Sequence, residues 1–173
     1  MKRSNNYFLL ALLFVAFTAC SEEKTTTVTR TPDELIAEAE SLDSLFLVAF
    51  NRGDVDALMS VLWNSPELVA YPPGEMQLKG YDAIRESYVK EFTTNKGAVL
   101  AYTGTYNIPF ADGVAGFGTY TWTLAVDGKA PMVVEGRYSD IKAFKDGKMV
   151  IIHDHSSAPA PPAPPAQDST SLN

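Results

Sequence analysis

The sequence predicts an α+β domain in which three N-terminal helices pack on a strongly curved antiparallel sheet. Two observations lead there. Apolar residues recur at helical spacing as far as Thr94. Beyond Gly97 the pattern changes to alternation rich in Thr, Tyr, Val and Trp, broken at Asp112-Gly113, Asp127-Gly128 and Asp146-Gly147. Asp-Gly between alternating segments is a hairpin turn, so the second half reads as four antiparallel strands. A sheet with its helices gathered on one side buries that face, and strong curvature leaves a cone with a pocket at its open end.

The chain begins with Lys2 and Arg3, an apolar run from Tyr7 to Phe17 and small residues before Cys20. That order is a secretory leader over residues 1–19. The run is shorter than the roughly 20 residues that cross a bilayer, and no later stretch qualifies either. Phe17-Thr18-Ala19-Cys20 resembles the lipobox of bacterial lipoproteins, with Phe17 where Leu is usual. The resemblance implies that Cys20 is acylated and becomes the first residue of the mature protein, joined to the membrane by its lipid; two or more acyl chains anchor stably. Ser21 follows rather than Asp, which by resemblance to lipoproteins of two-membrane bacteria implies the outer membrane.

Cys20 is the sole cysteine, so the mature chain has neither disulfides nor a thiol nucleophile. The formal charge is −7 and becomes two units more negative once Lys2 and Arg3 leave with the leader. Such a surface repels phosphate backbones, which argues against nucleic-acid binding.

Residues 20–30 are polar and Thr-rich, a tether between lipid and domain. Residues 31–157 suffice for one domain. Thr31-Pro32-Asp33-Glu34 joins an N-cap, a proline at the first helical position and a capping-box glutamate. Leu35, Ala39, Leu42, Phe46, Ala49 and Phe50 continue that helix to Gly53. Asp54 caps a second, short helix through Leu62. Glu67 to Tyr71 is a short strand closed by Pro72-Pro73-Gly74. Gly80 to Thr94 is the third helix, with Ile84, Tyr88 and Phe92 on one stripe. Residues 158–173 are Pro/Ala-rich and then polar, a disordered polyproline-type tail that is either a spacer or docking segment or an extension without a role.

With the elements in this order, the domain resembles the SnoaL-like branch of the NTF2-like superfamily. Asn51-Arg52-Gly53-Asp54, Gly80-Tyr81-Asp82-Ala83-Ile84-Arg85, Gly136-Arg137-Tyr138-Ser139-Asp140-Ile141, Asp146-Gly147-Lys148 and His153-Asp154-His155-Ser156-Ser157 carry the resemblance. Met149 stands where relatives commonly have Trp. The superfamily holds ketosteroid isomerases, cyclases and dehydratases together with members that do no chemistry, so the fold does not assign a function. The isomerase base, an Asp before proline on the short strand, corresponds to Tyr71, and the oxyanion-stabilising Tyr corresponds to Phe46. With both groups replaced, isomerisation of that kind is disfavoured.

His153-Asp154-His155 is the sharpest local feature, because alternation puts both histidines on one face and Asp154 on the other. A three-residue loop at Lys145-Asp146-Gly147 would set Arg137 opposite His155 and Ser139 opposite His153, with Ile141 and Ile151 marking that face as the core side. A two-residue turn would instead set Tyr138 opposite His155. The first register is preferred, partly because relatives keep an inward Arg with the terminal His. His155 and Arg137 are then the candidate acid/base and the clamp for an anionic or carbonyl-bearing ligand, or else members of a self-satisfying polar cluster. A metal at His153 and His155 would need a third ligand, with Glu135 the nearest candidate, and no metal or cofactor is expected. Trp63, Tyr71, Tyr88, Tyr106 and Trp122 are aromatics for the pocket wall or for the ordinary core.

The expectation is a lipid-anchored domain that binds a small, largely apolar molecule through Trp63, Tyr71, Tyr88, Trp122, Arg137, His153 and His155. The alternatives are a cyclase, isomerase or dehydratase using His155, and a dimerisation module forming a homodimer.

Overall fold

The computed structural model describes residues 29–126 and 128–159. The expected leader, Cys20 and most of the expected tether and tail lie outside them. Helix α1 spans Pro32–Arg52. The Thr31 hydroxyl accepts from the Glu34 amide, and the Glu34 carboxylate accepts from the Thr31 amide at 2.7 Å, which completes the capping box. Gly53 ends the helix in a left-handed conformation at φ 65°. Leu35, Ala39, Leu42, Asp43, Phe46 and Ala49 form the buried stripe of α1, with one carboxylate where the spacing alone predicts apolar contact.

Helix α2, Val55–Met59, is shorter than expected. The chain leaves it so that Val61 can run beside the final strand, its carbonyl accepting from the Ile151 amide at 3.0 Å. Strands β1, Val69–Tyr71, and β2, Leu78–Lys79, precede α3, Tyr81–Thr94, and the sequence offers no sign of β2. Strands β3, Val99–Phe110, β4, Gly113–Leu124, β5, Met132–Lys145, and β6, Lys148–Ser157, form the expected meander.

The sheet runs β2-β1-β6-β5-β4-β3. Every neighbouring pair is antiparallel except β1 and β6, which are parallel. The sheet is therefore mixed rather than wholly antiparallel, because β1 is joined to the meander through α3 instead of by a hairpin. Curvature comes from irregularities. The β3–β4 register shifts between Tyr102 and Gly104, and a Cβ on Gly118 would collide with the Gly104 backbone, so glycine lets the two strands close up there. The core lies between the concave face and α1 and α2, around Leu42, Leu58, Leu68, Ile84, Val114 and Ile151.

The β5–β6 turn corrects the preferred register. Asp146 and Gly147 both have positive φ, at 53° and 77°, and Lys145 pairs with Lys148, so the loop has two residues rather than three. The register then shifts between Ile141 and Lys142, with Ile152 as the extra residue. Beyond this bulge Ile141 faces His153, Ser139 faces His155 and Arg137 faces Ser157, which matches neither anticipated pairing.

Candidate functional site

The bulge decides which side chains enter the cone. Tyr138, Asp140 and Lys142 on β5 are buried, and their β6 neighbours Ser156 and Asp154 line the interior. The residues between them, Arg137, Ser139, His153 and His155, turn to the outer face. The core-side placement expected for Arg137 and the histidines is thus reversed. Arg137 is exposed and its Nε donates to Ser157 Oγ at 3.3 Å. His155 is exposed and His153 half-buried. Burial and, to a lesser degree, the neighbouring His155 lower the pKa of His153.

Tyr71 joins this outer cluster, edge-on to His153 and His155 at centroid distances of 5.7 and 6.3 Å. The position matching the isomerase base therefore lies outside the cone. Tyr106 is also on the outer face, stacked on Phe117. Trp63 lies away from the cavity with Lys145 Nζ 4.8 Å above its ring. Glu135 pairs with Thr121, two residues beyond the Arg137 that faces the last residue of β6, so it is not placed to complete a site with His155. Of the anticipated ligand residues, Tyr88 and Trp122 do line the cavity, and Phe46 lines it as well.

The cavity measures about 190 Å³ between α1, α3 and the concave sheet. Its walls are aromatic: Phe46, Phe50, Tyr88, Tyr102, Tyr120, Trp122 and Tyr138. Phe46, Phe50 and Tyr88 contact one another at centroid distances of 6.2 to 6.4 Å, and Tyr102 stacks on Tyr138 at 4.4 Å. Tyr120 reaches inward over Gly136, where a Cβ would strike its ring. Burial raises the pKa of all four tyrosines, that of Tyr138 to about 12, so their hydroxyls stay neutral.

Asp154, Glu75 and Glu91 are the ionisable carboxyls on this wall, and none of the described residues lining it is basic. Behind Asp154 lies a buried cluster. Lys142 is fully buried; its Nζ donates to Asp140 Oδ1 at 2.7 Å and stands 2.9 Å from Asp43 Oδ1. One lysine thus faces three carboxyls. Burial first, and then Asp140, raises the pKa of Asp154 to about 7 against the opposing pull of Lys142. Burial likewise lifts Asp43 to about 6, although Lys142 counters it. Holding several charges in a poorly solvated place costs more than the single cation returns, so protons are retained instead.

Asp154, Tyr102, Tyr120 and Tyr138 were not among the anticipated site residues. Alternation does separate Asp154 from its flanking histidines, yet it does not say which side is inside.

Several solved structures share this architecture. An NTF2-like superfamily protein from Salmonella enterica serovar Typhimurium superposes with a TM-score of 0.68 at 16% identity, covering 78% of this chain and 98% of that one. An NTF2-like protein of unknown function from Pseudomonas putida gives 0.63 at 18%, covering 72% and 87%. Another of unknown function from Shewanella oneidensis gives 0.58 at 23%, covering 70% and 98%. These likenesses establish an NTF2-like α+β fold. No family model and no curated protein matches the sequence.

Proposed function

We propose that this NTF2-like domain, of the SnoaL-like kind by its motifs, is a binding module for a small, largely apolar molecule that is neutral or cationic and presents a hydrogen-bond donor to Asp154. One observation carries the reading: the described residues lining the cavity include seven aromatic rings and three carboxyls but no basic side chain. Apolar walls with few converging polar groups suit such a ligand, and the excess of carboxyls disfavours an anion. Asp154 replaces Arg137 and His155 as the polar anchor, since those two face outward. The protein meets its ligand outside the cytoplasm, held by lipid on Cys20 through the Thr-rich tether, by virtue of the leader and lipobox-like sequence.

A fluorescence titration with 2-naphthol, a flat apolar alcohol, tests the pocket. Saturable binding that Trp122→Ala weakens, with no binding of naphthalene-2-sulfonate, is the expected result. Equal binding of the sulfonate, or none of the alcohol, overturns the reading. Labelling with a fatty-acid analogue in a bacterial host tests the anchor, and label retained in Cys20→Ala would refute it.

A second reading rests on the pKa of Asp154 near 7, the value suited to a general acid or base. On this reading the domain transfers a proton on its ligand, with Asp154 in the role first given to His155. Unchanged turnover of a bound ligand by Asp154→Asn would dismiss it.

A further inference from the structure

Resting on the reading of the aromatic cavity as a ligand site, we infer that its guest is an ammonium ion carried on a flat apolar body, bound in exchange for the proton of Asp154. The interior carboxyls are not equivalent. Lys142 Nζ lies 2.7 Å from Asp140 Oδ1 and 2.9 Å from Asp43 Oδ1, so these two share the one buried cation. Asp154 has no ion pair and no side-chain hydrogen bond among the described residues. It is half-buried and lines the cavity, so a guest can reach it.

The strand ladder sets the direction of approach. Ser156 pairs with Tyr138, Asp154 with Asp140, and Ile151, past the bulge, with Lys142. Ser156, Tyr138, Tyr120 and Trp122 line the cavity, whereas Lys142 does not. The open space is therefore on the Ser156 side of Asp154, and a guest cation arrives from the end away from Lys142. Tyr88, Tyr102, Tyr120 and Tyr138, from four different elements, all lie within the field of the Asp154 carboxyl. Aromatic rings gathered round a carboxyl suit a cation, which gains from both the charge and the ring electrons.

The remaining groups around Asp154 add no positive charge. Glu75, on the loop after β1, and Glu91, on α3, are carboxyls on the same wall, and Glu91 accepts from Asn95 at 2.7 Å. Ala70, the β1 neighbour of Asp154, is uncharged, and His153 and His155 turn to the outer face. In the free protein, burial first and Asp140 second raise the pKa of Asp154 to about 7, with Lys142 opposing them, so a proton fills the place of the missing cation. An incoming ammonium pairs with the carboxylate, and the displaced proton passes to solvent. A neutral alcohol of the same shape leaves that proton in place.

The test is calorimetric titration of the full protein with 2-naphthylmethylammonium chloride and with 2-naphthalenemethanol, which share one flat body and differ in the charged head. At pH 8 the ammonium is expected to bind about tenfold more tightly than the alcohol. Its affinity should fall about tenfold or more between pH 8 and pH 5, where the proton must be displaced, while that of the alcohol stays constant. At pH 6, buffers of different ionisation enthalpy should report about one proton released with the ammonium and none with the alcohol. Asp154→Asn should abolish both the preference and the pH dependence, and the pH series on the parent protein stands without that variant. Equal affinities at pH 8, an ammonium affinity that does not change with pH, or release of no proton would overturn the inference while leaving the cavity as a site for neutral molecules. Binding of neither compound would overturn both.

Discussion

Asp140 on β5 stands directly across the ladder from Asp154 on β6, and both carboxyls turn into the cone. Lys142 donates to Asp140, and burial first, with the Asp140 charge second, raises the pKa of Asp154 to about 7.

The pKa of Asp154 is raised above its ordinary 3.8, so the folded state binds a proton that the unfolded chain releases. Its contribution to stability is fully present below about pH 4 and is lost as pH rises through about 7. Asp154→Asn removes the cost of ionisation. Thermal unfolding should show the variant more stable than the parent at pH 8, by on the order of 1–3 kcal/mol, with the gain gone near pH 4. Asp43→Asn should act in the same direction with its midpoint nearer pH 6.

Lys142→Met should be destabilising, since it strands Asp140 and Asp43 without their cation. Removing one partner of a buried pair costs about 3–5 kcal/mol. Urea unfolding at pH 8 should show that loss, and a smaller one at pH 5, where Asp43 and Asp154 are protonated.

Arg137→Ala and His155→Ala alter exposed side chains on the outer face. Each should change unfolding free energy by no more than about 0.5 kcal/mol and leave 2-naphthol affinity unchanged. Tyr88→Ala should lower that affinity about tenfold, the equivalent of one lost aromatic contact.

Gly118→Ala places a methyl against the Gly104 backbone. Overpacking against a main chain cannot be relieved by a rotamer change, so a loss of about 1–3 kcal/mol is expected in denaturant unfolding.

Tyr106, Ile108 and Phe117 are exposed together on the outer face. Sedimentation of the purified protein should show self-association through this face, and Phe117→Glu should shift it toward monomer.

Much of the scaffold was legible because its signals are carried by consecutive residues. The capping box at Thr31 and Glu34, the left-handed Gly53 and the Asp146-Gly147 turn act over one turn of chain, whereas the β3–β4 loop falls on Ala111-Asp112, one residue before the expected Asp112-Gly113. The helical and strand periods brought out the cone, and with it Tyr88 and Trp122 as members of its wall. The inside of β6 was not legible. Met149-Val150-Ile151-Ile152 is apolar at every position, so it carries no alternation from which to read a face, and one bulge within it sets the direction of everything beyond.

The sequence by itself determined the α+β order, the ends of α1, the succession of the meander strands and an aromatic pocket, all consequences of local propensity and period. The tertiary structure alone decided that β1 lies parallel to β6, that Lys142 is buried among carboxyls, and that Asp154 rather than His153 or His155 looks into the cavity. The physical reason is that these depend on how Ile151 and Lys142 pack against distant elements, and that packing placed the bulge.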